Sequence, residues 1–230
     1  ADRNNNAIRR MAPDGTVSTL AGANRPGPDG IGSADGTGTA ARFFNPAGIL
    51  VDRDGSVYVA DLQNNTIRKV TSAGTVTTIA GLAGAAGAVD GNLSDARFNQ
   101  PSALAMDADG NIYVSDSGNH SIRRISTNGF VTTVAGDWRS GGYRDGFGSA
   151  ANFHGPGSLA LATDGSLFIA DTILRQMTTD GSVTTPNVRT TVSALTLDRS
   201  GNLYVADSYA IRRVNLDNST SLIAGAEPST

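Results

Sequence analysis

The sequence lacks several features that would point to particular classes of protein. Its 230 residues include no cysteine, so the chain forms no disulfide and has no thiolate nucleophile or thiolate metal site. No apolar run approaches the roughly 18 residues of a membrane-spanning helix, and no segment shows helical periodicity. The 18 Lys and Arg residues are balanced by 21 Asp and Glu, which gives a net charge of −3. We therefore expect no membrane span and no nucleic-acid partner, since a nucleic-acid backbone needs a concentrated positive face.

The absence of cysteine also bears on location. It fits the cytoplasm, and it equally fits a secreted β protein whose core is sufficient without disulfides. We expect an extracellular or periplasmic protein, with a cytoplasmic one as the alternative. The first residue is Ala1 rather than Met, and we expect that residues upstream of it are absent from this sequence.

The sequence does contain one pattern that returns five times. Each copy begins at an aspartate, and the fullest copies continue through Asn-x-x-Ile to a basic pair. The copies lie at residues 2–11, 61–70, 116–125, 171–177 and 207–214. A repeat of this length indicates the architecture, because one unit cannot bury its own apolar face and must pack on its neighbours.

Each full repeat predicts four short antiparallel strands, which we label a to d. The segments are rich in Val, Ile, Tyr and Thr and are bounded by tight turns such as Asp-Gly. In the first full repeat, the strands are predicted at residues 48–52, 56–61, 66–70 and 75–81. Further repeats follow at residues 104–136, 159–188 and 194–225, whereas residues 1–22 supply strands c and d only.

The motif Val-Ala-Asp-x-x-Asn-x-x-Ile-Arg-Arg, with Thr-Thr-Ile-Ala-Gly at the end of strand d, resembles the NHL repeat over nearly the whole chain. This resemblance implies an all-β propeller, commonly of six blades, that serves as a protein-binding, RNA-binding or sensor module; a few relatives are lyases. We expect one NHL-type domain over residues 1–230, with four complete four-stranded blades and a half blade at the N-terminus. This corresponds to five blades or to part of a six-bladed ring.

The residues that recur in every copy are predicted to maintain the fold. The aspartates that end strand b should cap the b–c turn by accepting backbone N–H groups. Because successive strand residues point to opposite faces, one basic residue of each pair should bond between blades while the other is solvated. These residues are Asp2, Asp61, Asp116, Asp171 and Asp207, followed by Arg9-Arg10, Arg68-Lys69, Arg123-Arg124, Arg175 and Arg212-Arg213.

The sequence predicts no catalytic residue and no metal ligand. Its two histidines, His120 and His154, have no third ligand at a recognisable spacing. Asp-Gly turns such as Asp54-Gly55 lack the remaining ligands of an EF-hand calcium loop. We therefore expect no cofactor, with calcium as the alternative.

The d–a connections are better candidates for recognition, since loops on a rigid scaffold usually carry it. Three of them share a template, Asp-Gly followed by Ala and then Phe, at residues 35–43, 90–98 and 145–153, whose Phe should plug the gap between blades. The third connection departs most from the others, and Trp, Tyr and Arg are favoured anchors of binding surfaces. The predicted binding residues are Trp138, Arg139, Tyr143, Arg144 and His154.

We expect a non-enzymatic binding or scaffold module that recognises a protein or a glycan through these long loops on one face. One alternative is a propeller enzyme of the lactonase or lyase kind, with a metal or polar site at the central channel. Another is a self-assembling subunit, because an incomplete blade leaves a strand edge that can pair with another chain.

Overall fold

The computed structural model describes residues 1–188 and 190–226. Its regular structure consists of short antiparallel strands and single 3-10 turns. The turns are η1 (Arg3–Asn5), η2 (Pro28–Gly30), η3 (Gly38–Ala40), η4 (Leu62–Asn64), η5 (Ser117–Asn119) and η6 (Gly148–Ala150). No helix in this part of the chain is long and apolar enough to cross a membrane.

The strands form successive antiparallel sheets in chain order. The first sheet contains β1 (Ala7–Met11) and β2 (Val17–Gly22). The second has the order β3-β7-β6-β5-β4, with β3 (Gly36–Thr37), β4 (Pro46–Val51), β5 (Val57–Asp61), β6 (Thr66–Val70) and β7 (Thr75–Gly81). The third has the order β8-β12-β11-β10-β9, with β8 (Gly91–Asn92), β9 (Pro101–Met106), β10 (Ile112–Asp116), β11 (Ser121–Ile125) and β12 (Phe130–Gly136).

Two further sheets complete the described structure. The fourth has the order β13-β17-β16-β15-β14, with β13 (Gly146–Phe147), β14 (Leu159–Leu161), β15 (Leu167–Asp171), β16 (Ile173–Met177) and β17 (Ser182–Thr184). The last has the order β18-β19-β20-β21, with β18 (Ala194–Leu197), β19 (Leu203–Ala206), β20 (Ala210–Val214) and β21 (Thr220–Gly225).

These sheets confirm the predicted succession of four-stranded repeats and the two strands of the N-terminal half repeat. The structure adds one element that the sequence pattern did not predict: a two-residue strand (β3, β8 or β13) at the outer edge of three sheets. Strand d of the fourth sheet is also shorter than predicted, because β17 ends at Thr184. Both differences arise in the d–a connections, where side-chain contacts rather than alternation decide the backbone path.

The chain divides into two compact units, which are Ala1–Leu104 with Ile125–Thr132, and Ala105–Arg124 with Thr133–Thr230. In the first unit, Ile8, Phe43, Val59, Val70 and Val76 belong to one buried cluster. The second unit has two clusters, one around Ile122, Phe153 and Ile169 and the other around Leu174, Val192 and Leu203. Whether residues 1–230 form a single domain stays a prediction, and residues 227–230 lie outside the described part.

A buried aspartate–arginine pair supports the b–c turn of four sheets. In the first unit, Arg68 Nη1 donates to Asp61 Oδ2 at 2.9 Å and to the carbonyl of Arg42 at 3.1 Å, and its Nη2 donates to Asp35 at 2.7 Å. In the second unit, the equivalent pairs are Arg123–Asp116 at 2.8 Å, Arg175–Asp171 at 3.6 Å and Arg212–Asp207 at 2.8 Å. These contacts agree with the prediction that one basic residue of each pair maintains the fold, and the structure shows that it is the first of the two.

The prediction that the aspartates cap the b–c turn through backbone N–H groups is wrong for Asp2, Asp61 and Asp116, whose turns have no side-chain cap. The carboxylates of Asp61 and Asp171 accept N–H groups of the d–a connection instead, and Asp207 alone among the described copies caps its own turn, at Tyr209 and Ala210.

The N-terminal copy is built differently. Arg9 Nη1 donates to Thr19 Oγ1 at 3.0 Å and to Asn24 Oδ1 at 2.6 Å. Asp2 instead accepts from the side-chain amide of Asn5. The same aspartate and arginine of the repeat therefore form a weaker and more exposed hydrogen-bond network in the half repeat.

Candidate functional site

The five predicted binding residues all lie in the second unit, on or next to the connection between β12 and β14, residues 137–158. The structure brings four of them into two stacked pairs and ties the fifth to the backbone of the connection. The three arrangements offer different chemistry.

Trp138 and Arg139 form the outer pair. The Arg139 guanidinium carbon lies 4.5 Å from the centroid of the Trp138 ring, within the range of a cation–π interaction. Trp138 is 53% exposed. Asp137 fixes the turn beneath the pair, since its carboxylate accepts the backbone N–H of Arg139 at 3.0 Å and lies 3.7 Å from the Arg139 guanidinium. The pair therefore presents a planar apolar surface together with a positive charge.

Tyr143 and His154 form the second pair. Their rings are stacked with centroids 5.5 Å apart and an interplanar angle of 17°. The backbone under His154 is held by a buried carboxylate, because Asp171 accepts N–H bonds from His154 and Gly155 at 2.7–3.1 Å. Burial raises the pKa of the Asp171 carboxyl, while those two N–H bonds and the Arg175 charge act in the opposite direction.

His120 joins this second pair, although the sequence pattern gave it no binding role. Its Nδ1 lies 2.7 Å from the carbonyl oxygen of His154. A carbonyl only accepts, so Nδ1 carries the proton and the neutral ring keeps a lone pair on Nε2. The backbone of Gly141 lies against the ring, since a Cβ added there would be 3.2–3.5 Å from three of its atoms.

A departure between the copies could have identified His120. It follows η5 with φ 51°, a left-handed position that is Asn6 or Asn65 in the first two copies. In the first unit, those asparagines accept backbone N–H groups from Asn45 and Gln100, both at 2.9 Å. In the third copy, His120 therefore replaces the side-chain amide of asparagine with an imidazole. This replacement lies beside the connection 137–158, which differs most from the other connections.

Arg144 is the least available of the predicted residues. Its Nε donates to the carbonyl of Ala150 at 2.8 Å, and its own carbonyl accepts from Arg175 Nη2 at 3.0 Å and from the N–H of Asn152 at 2.9 Å. The side chain is exposed, but its hydrogen bond closes the connection on itself. The arrangement braces the backbone that carries Tyr143.

The connection is anchored by the predicted aromatic plug. Phe153 is fully buried, and its ring lies under the Arg175 guanidinium at 5.1 Å. The side-chain amide of Asn152 donates to the Ser140 carbonyl at 2.7 Å, and the N–H of Gly142 donates to the Phe153 carbonyl at 3.0 Å. The exposed rings therefore stand on a cross-braced backbone rather than on a loose loop.

The site contains no evident metal-binding arrangement. Across residues 1–188 and 190–226, no three His, Asp or Glu side chains are grouped so that they could hold an ion.

Comparison with known proteins gives the family resemblance. The NHL repeat model matches residues 98–125. Over 146 residues, 61% of this chain, the sequence is 31% identical to NHL repeat-containing protein 2 from Bos taurus, and the chain spans about a fifth of the length of that relative (20%).

Solved structures show the same fold at low identity. A gluconolactonase from Xanthomonas campestris matches all of this chain and 72% of its own length with a TM-score of 0.68 and 18% identity. Virginiamycin B lyase from Staphylococcus aureus matches 96% of this chain and 63% of its own length with a TM-score of 0.63 and 18% identity. The fold is thus all-β, with blade-like sheets of four or five antiparallel strands, and by both repeat and fold the chain resembles the NHL-repeat β-propeller proteins.

Proposed function

We propose that this chain is a non-enzymatic binding module, and that it recognises a protein or a glycan through the connection 137–158. The observation that carries the proposal is the outward pair of Trp138 and Arg139, stacked at 4.5 Å on a fixed turn. An exposed tryptophan is costly in water and favourable in a contact, so its presentation on a braced loop supports a recognition role.

The preorganised backbone strengthens the proposal. Binding costs less conformational entropy when the contact residues are already held in place. The hydrogen bonds of Asn152 to Ser140 and of Arg144 to Ala150 provide this constraint before any partner arrives. The two stacked pairs together would supply flat apolar surfaces, one of which carries a cation.

The chemistry of these groups favours two partner types. Aromatic faces pack on the apolar face of a sugar ring, and an adjacent arginine binds hydroxyl or carboxylate oxygens. The same groups would anchor a protein surface that bears an acidic and an apolar side chain.

The experiment compares three variants for binding to a glycan array and to a displayed peptide library. We expect Trp138→Ala and Tyr143→Ala each to lower the affinity for a selected ligand at least tenfold. The matched control is Tyr209→Ala, which removes another exposed aromatic, 66% accessible, from the last sheet. Unchanged binding by both loop variants, with folding intact, rules out this site.

A second proposal is an enzyme of the lactonase or lyase kind. It is favoured by the hydrogen bond from His120 Nδ1–H to the His154 carbonyl. In the neutral ring, this tautomer has a lone pair on Nε2, which suits a general base. The fold shared with a gluconolactonase and a virginiamycin B lyase is compatible with it. Its test is hydrolysis of a lactone panel with and without added divalent metal, in which His120→Gln should abolish any turnover seen.

Self-association is a third proposal, supported by the two-stranded first sheet, β1 with β2, whose edge can pair with another chain. Light scattering over a dilution series tests it, and a mass that stays monomeric at the highest concentration argues against it.

A further inference from the structure

The short outer strands show how this fold covers the edge of strand d. In the second sheet, β3 pairs with β7 through Gly36↔Val76 and Thr37↔Thr75. The following turn is then anchored by the N–H of Gly38, which donates to the carbonyl of Gly74 at 2.9 Å. The fourth sheet repeats this arrangement, with Gly146↔Val183 and Phe147↔Ser182 between β13 and β17.

An aspartate of each d–a connection adds a side-chain hydrogen bond to the pairing between the outer strand and strand d. Asp35 Oδ2 accepts the backbone N–H of Thr78 at 3.1 Å, and Asp145 Oδ2 accepts that of Thr185 at 3.1 Å. The segments that make these contacts are Asp-Gly-Thr-Gly-Thr-Ala-Ala at residues 35–41 and Asp-Gly-Phe-Gly-Ser-Ala-Ala at residues 145–151. Their second glycine has a positive φ, 59° in one and 54° in the other, which disfavours other residues there.

The last sheet lacks this cover in the described structure. Its order is β18-β19-β20-β21, and the connection before it, residues 185–188 and 190–193, contributes no outer strand. The hairpin before β21 is otherwise equivalent. The N–H of Asn215 donates to Ser219 at 2.9 Å, just as the N–H of Thr71 donates to Thr75 in the second sheet.

Register identifies the backbone groups that face outward. Thr78 and Leu222 are equivalent, because Thr78 pairs with Arg68 and Leu222 with Arg212. The N–H of Thr78 faces the connection that carries β3, so the equivalent N–H of Leu222 points to the outer edge of β21. Because the backbone groups of successive strand residues alternate in direction, the N–H of Thr220 points to the same edge.

The surface beside this edge is concave and partly apolar. A groove of about 830 Å³ runs between the fourth and last sheets and is lined by Phe168, Gln176, Leu203, Arg213 and the turn that holds Leu216. A second hollow of about 380 Å³, lined by Asn187 and residues 217–220, borders the start of β21. Along the strand, Leu222 and Ile223 are 43% and 55% exposed.

We propose that the outer edge of β21, residues 218–223, binds an extended segment of a separate polypeptide by strand addition. The segment has the pattern Asp-Gly-x-Gly-x-Ala-Ala, because segments of that pattern occupy the equivalent edges of β7 and β17 in this chain. Its backbone pairs with Thr220, its aspartate accepts the N–H of Leu222, and the residues that follow enter the groove. Main-chain bonds supply the affinity and the groove supplies the selectivity.

The test is fluorescence anisotropy of a labelled synthetic peptide with the sequence of residues 145–153, titrated with the whole chain. We expect saturable binding that a scrambled peptide does not show and that an Asp-to-Asn peptide shows at least tenfold more weakly. Thr220→Pro removes an outward N–H without breaking a bond to β20 and should weaken binding at least tenfold. Thr220→Val keeps the N–H and should bind as the unaltered chain does.

Hydrogen exchange on the unaltered chain provides a readout that requires no variant. The amides of Thr220 and Leu222 should exchange more slowly when the peptide is present, while that of Ser221 should change little. Equal binding of the scrambled peptide, unchanged exchange at both outward amides, or full binding by a folded Thr220→Pro chain overturns the proposal. A concentration-dependent dimer that Thr220→Pro disrupts also overturns it, since the edge would then pair two copies of this chain.

Discussion

Arg68 Nη1 lies 2.9 Å from Asp61 Oδ2, and neither side chain is accessible to solvent. Burial of two charges is costly unless each is paired and fully hydrogen-bonded. Here the arginine also donates to a carbonyl and to Asp35, and the aspartate accepts from Asn64 and from the backbone N–H of Phe44. The buried Nε of Arg68 has no hydrogen-bond partner among the described residues, so the pair is well but not completely satisfied. The recurring aspartate and arginine of the repeat therefore hold the b–c turn against the connection that precedes the sheet.

Arg175→Met should strongly destabilise the protein. The change leaves the carboxylates of Asp171 and Asp145 without their cation and removes donors to the carbonyls of Asn152 and Arg144. Breaking a buried pair from one side costs about 3–5 kcal/mol. Urea unfolding measures the loss, and Gln176→Met, a half-buried neighbour on the opposite strand face, is the control. A loss no larger than that of the control contradicts the structural role.

Asp61 should produce a characteristic pH dependence of stability. Burial raises the pKa of its carboxyl to about 6, although Asn64, the Phe44 N–H and Arg68 each lower it. The unfolded value is near 3.8, so the folded chain holds this proton more tightly. The stabilisation from this group is fully present below about pH 4 and is lost as the pH rises through about 6.

Comparison with Asp61→Asn isolates this contribution, because the other titrating groups are common to both proteins. Between pH 4 and pH 7, the free energy of unfolding of the unaltered chain should fall by about 2–2.5 kcal/mol relative to that of the variant. Urea titrations at several pH values measure the difference. Two curves that stay parallel across this range indicate that the pKa of Asp61 is not raised.

Gly81→Ala should cost much more than Gly84→Ala. Both glycines have a positive φ, 89° and 76°, which costs an alanine about 1–2 kcal/mol. A Cβ at Gly81 would also lie 2.6 Å from the carbonyl oxygen of Asn65 and 3.2 Å from the Phe98 ring, whereas nothing lies within 4 Å at Gly84. The crowding adds about 1–3 kcal/mol. Thermal melting of the two variants compares them, and equal midpoints contradict the close packing of Phe98.

The tautomer of His120 gives a prediction that needs no partner. Its hydrogen bond to the His154 carbonyl at 2.7 Å requires a proton on Nδ1, so nitrogen NMR at a pH where the ring is neutral should show Nδ1–H and an unprotonated Nε2. In Tyr143→Ala, this tautomer should persist, because the bond is to the backbone. A neutral ring protonated on Nε2 contradicts the geometry.

Much of the fold could be predicted because it depends on local regularities. The alternation in residues 48–81 placed β5, β6 and β7 to within a residue, and strand alternation indicated that one side chain of each basic pair is bonded while the other is solvated. The two-residue strands β3 and β13 were not predicted, since no alternation is visible in so few residues. They exist because Asp35 and Asp145 fix them to Thr78 and Thr185, more than 30 positions away.

The candidate site was predicted in part. Composition alone singled out Trp138, Arg139 and Tyr143 as unusual for this repeat. It did not indicate that Tyr143 stacks on His154, or that the His120 ring bonds to the His154 carbonyl through Nδ1. Those relationships join residues 11 and 34 positions apart.

The sequence by itself determined the repeat and the four strands of each full unit, because both follow from spacing and alternation within one unit and are repeated. Only the tertiary structure decided which rings are stacked, that Arg144 is tied to Ala150, and that the edge of β21 is uncovered in the described chain while three other sheets have an added strand. These outcomes depend on how connections of unequal length pass between neighbouring sheets, and that path is set by long-range packing and hydrogen bonds rather than by local pattern.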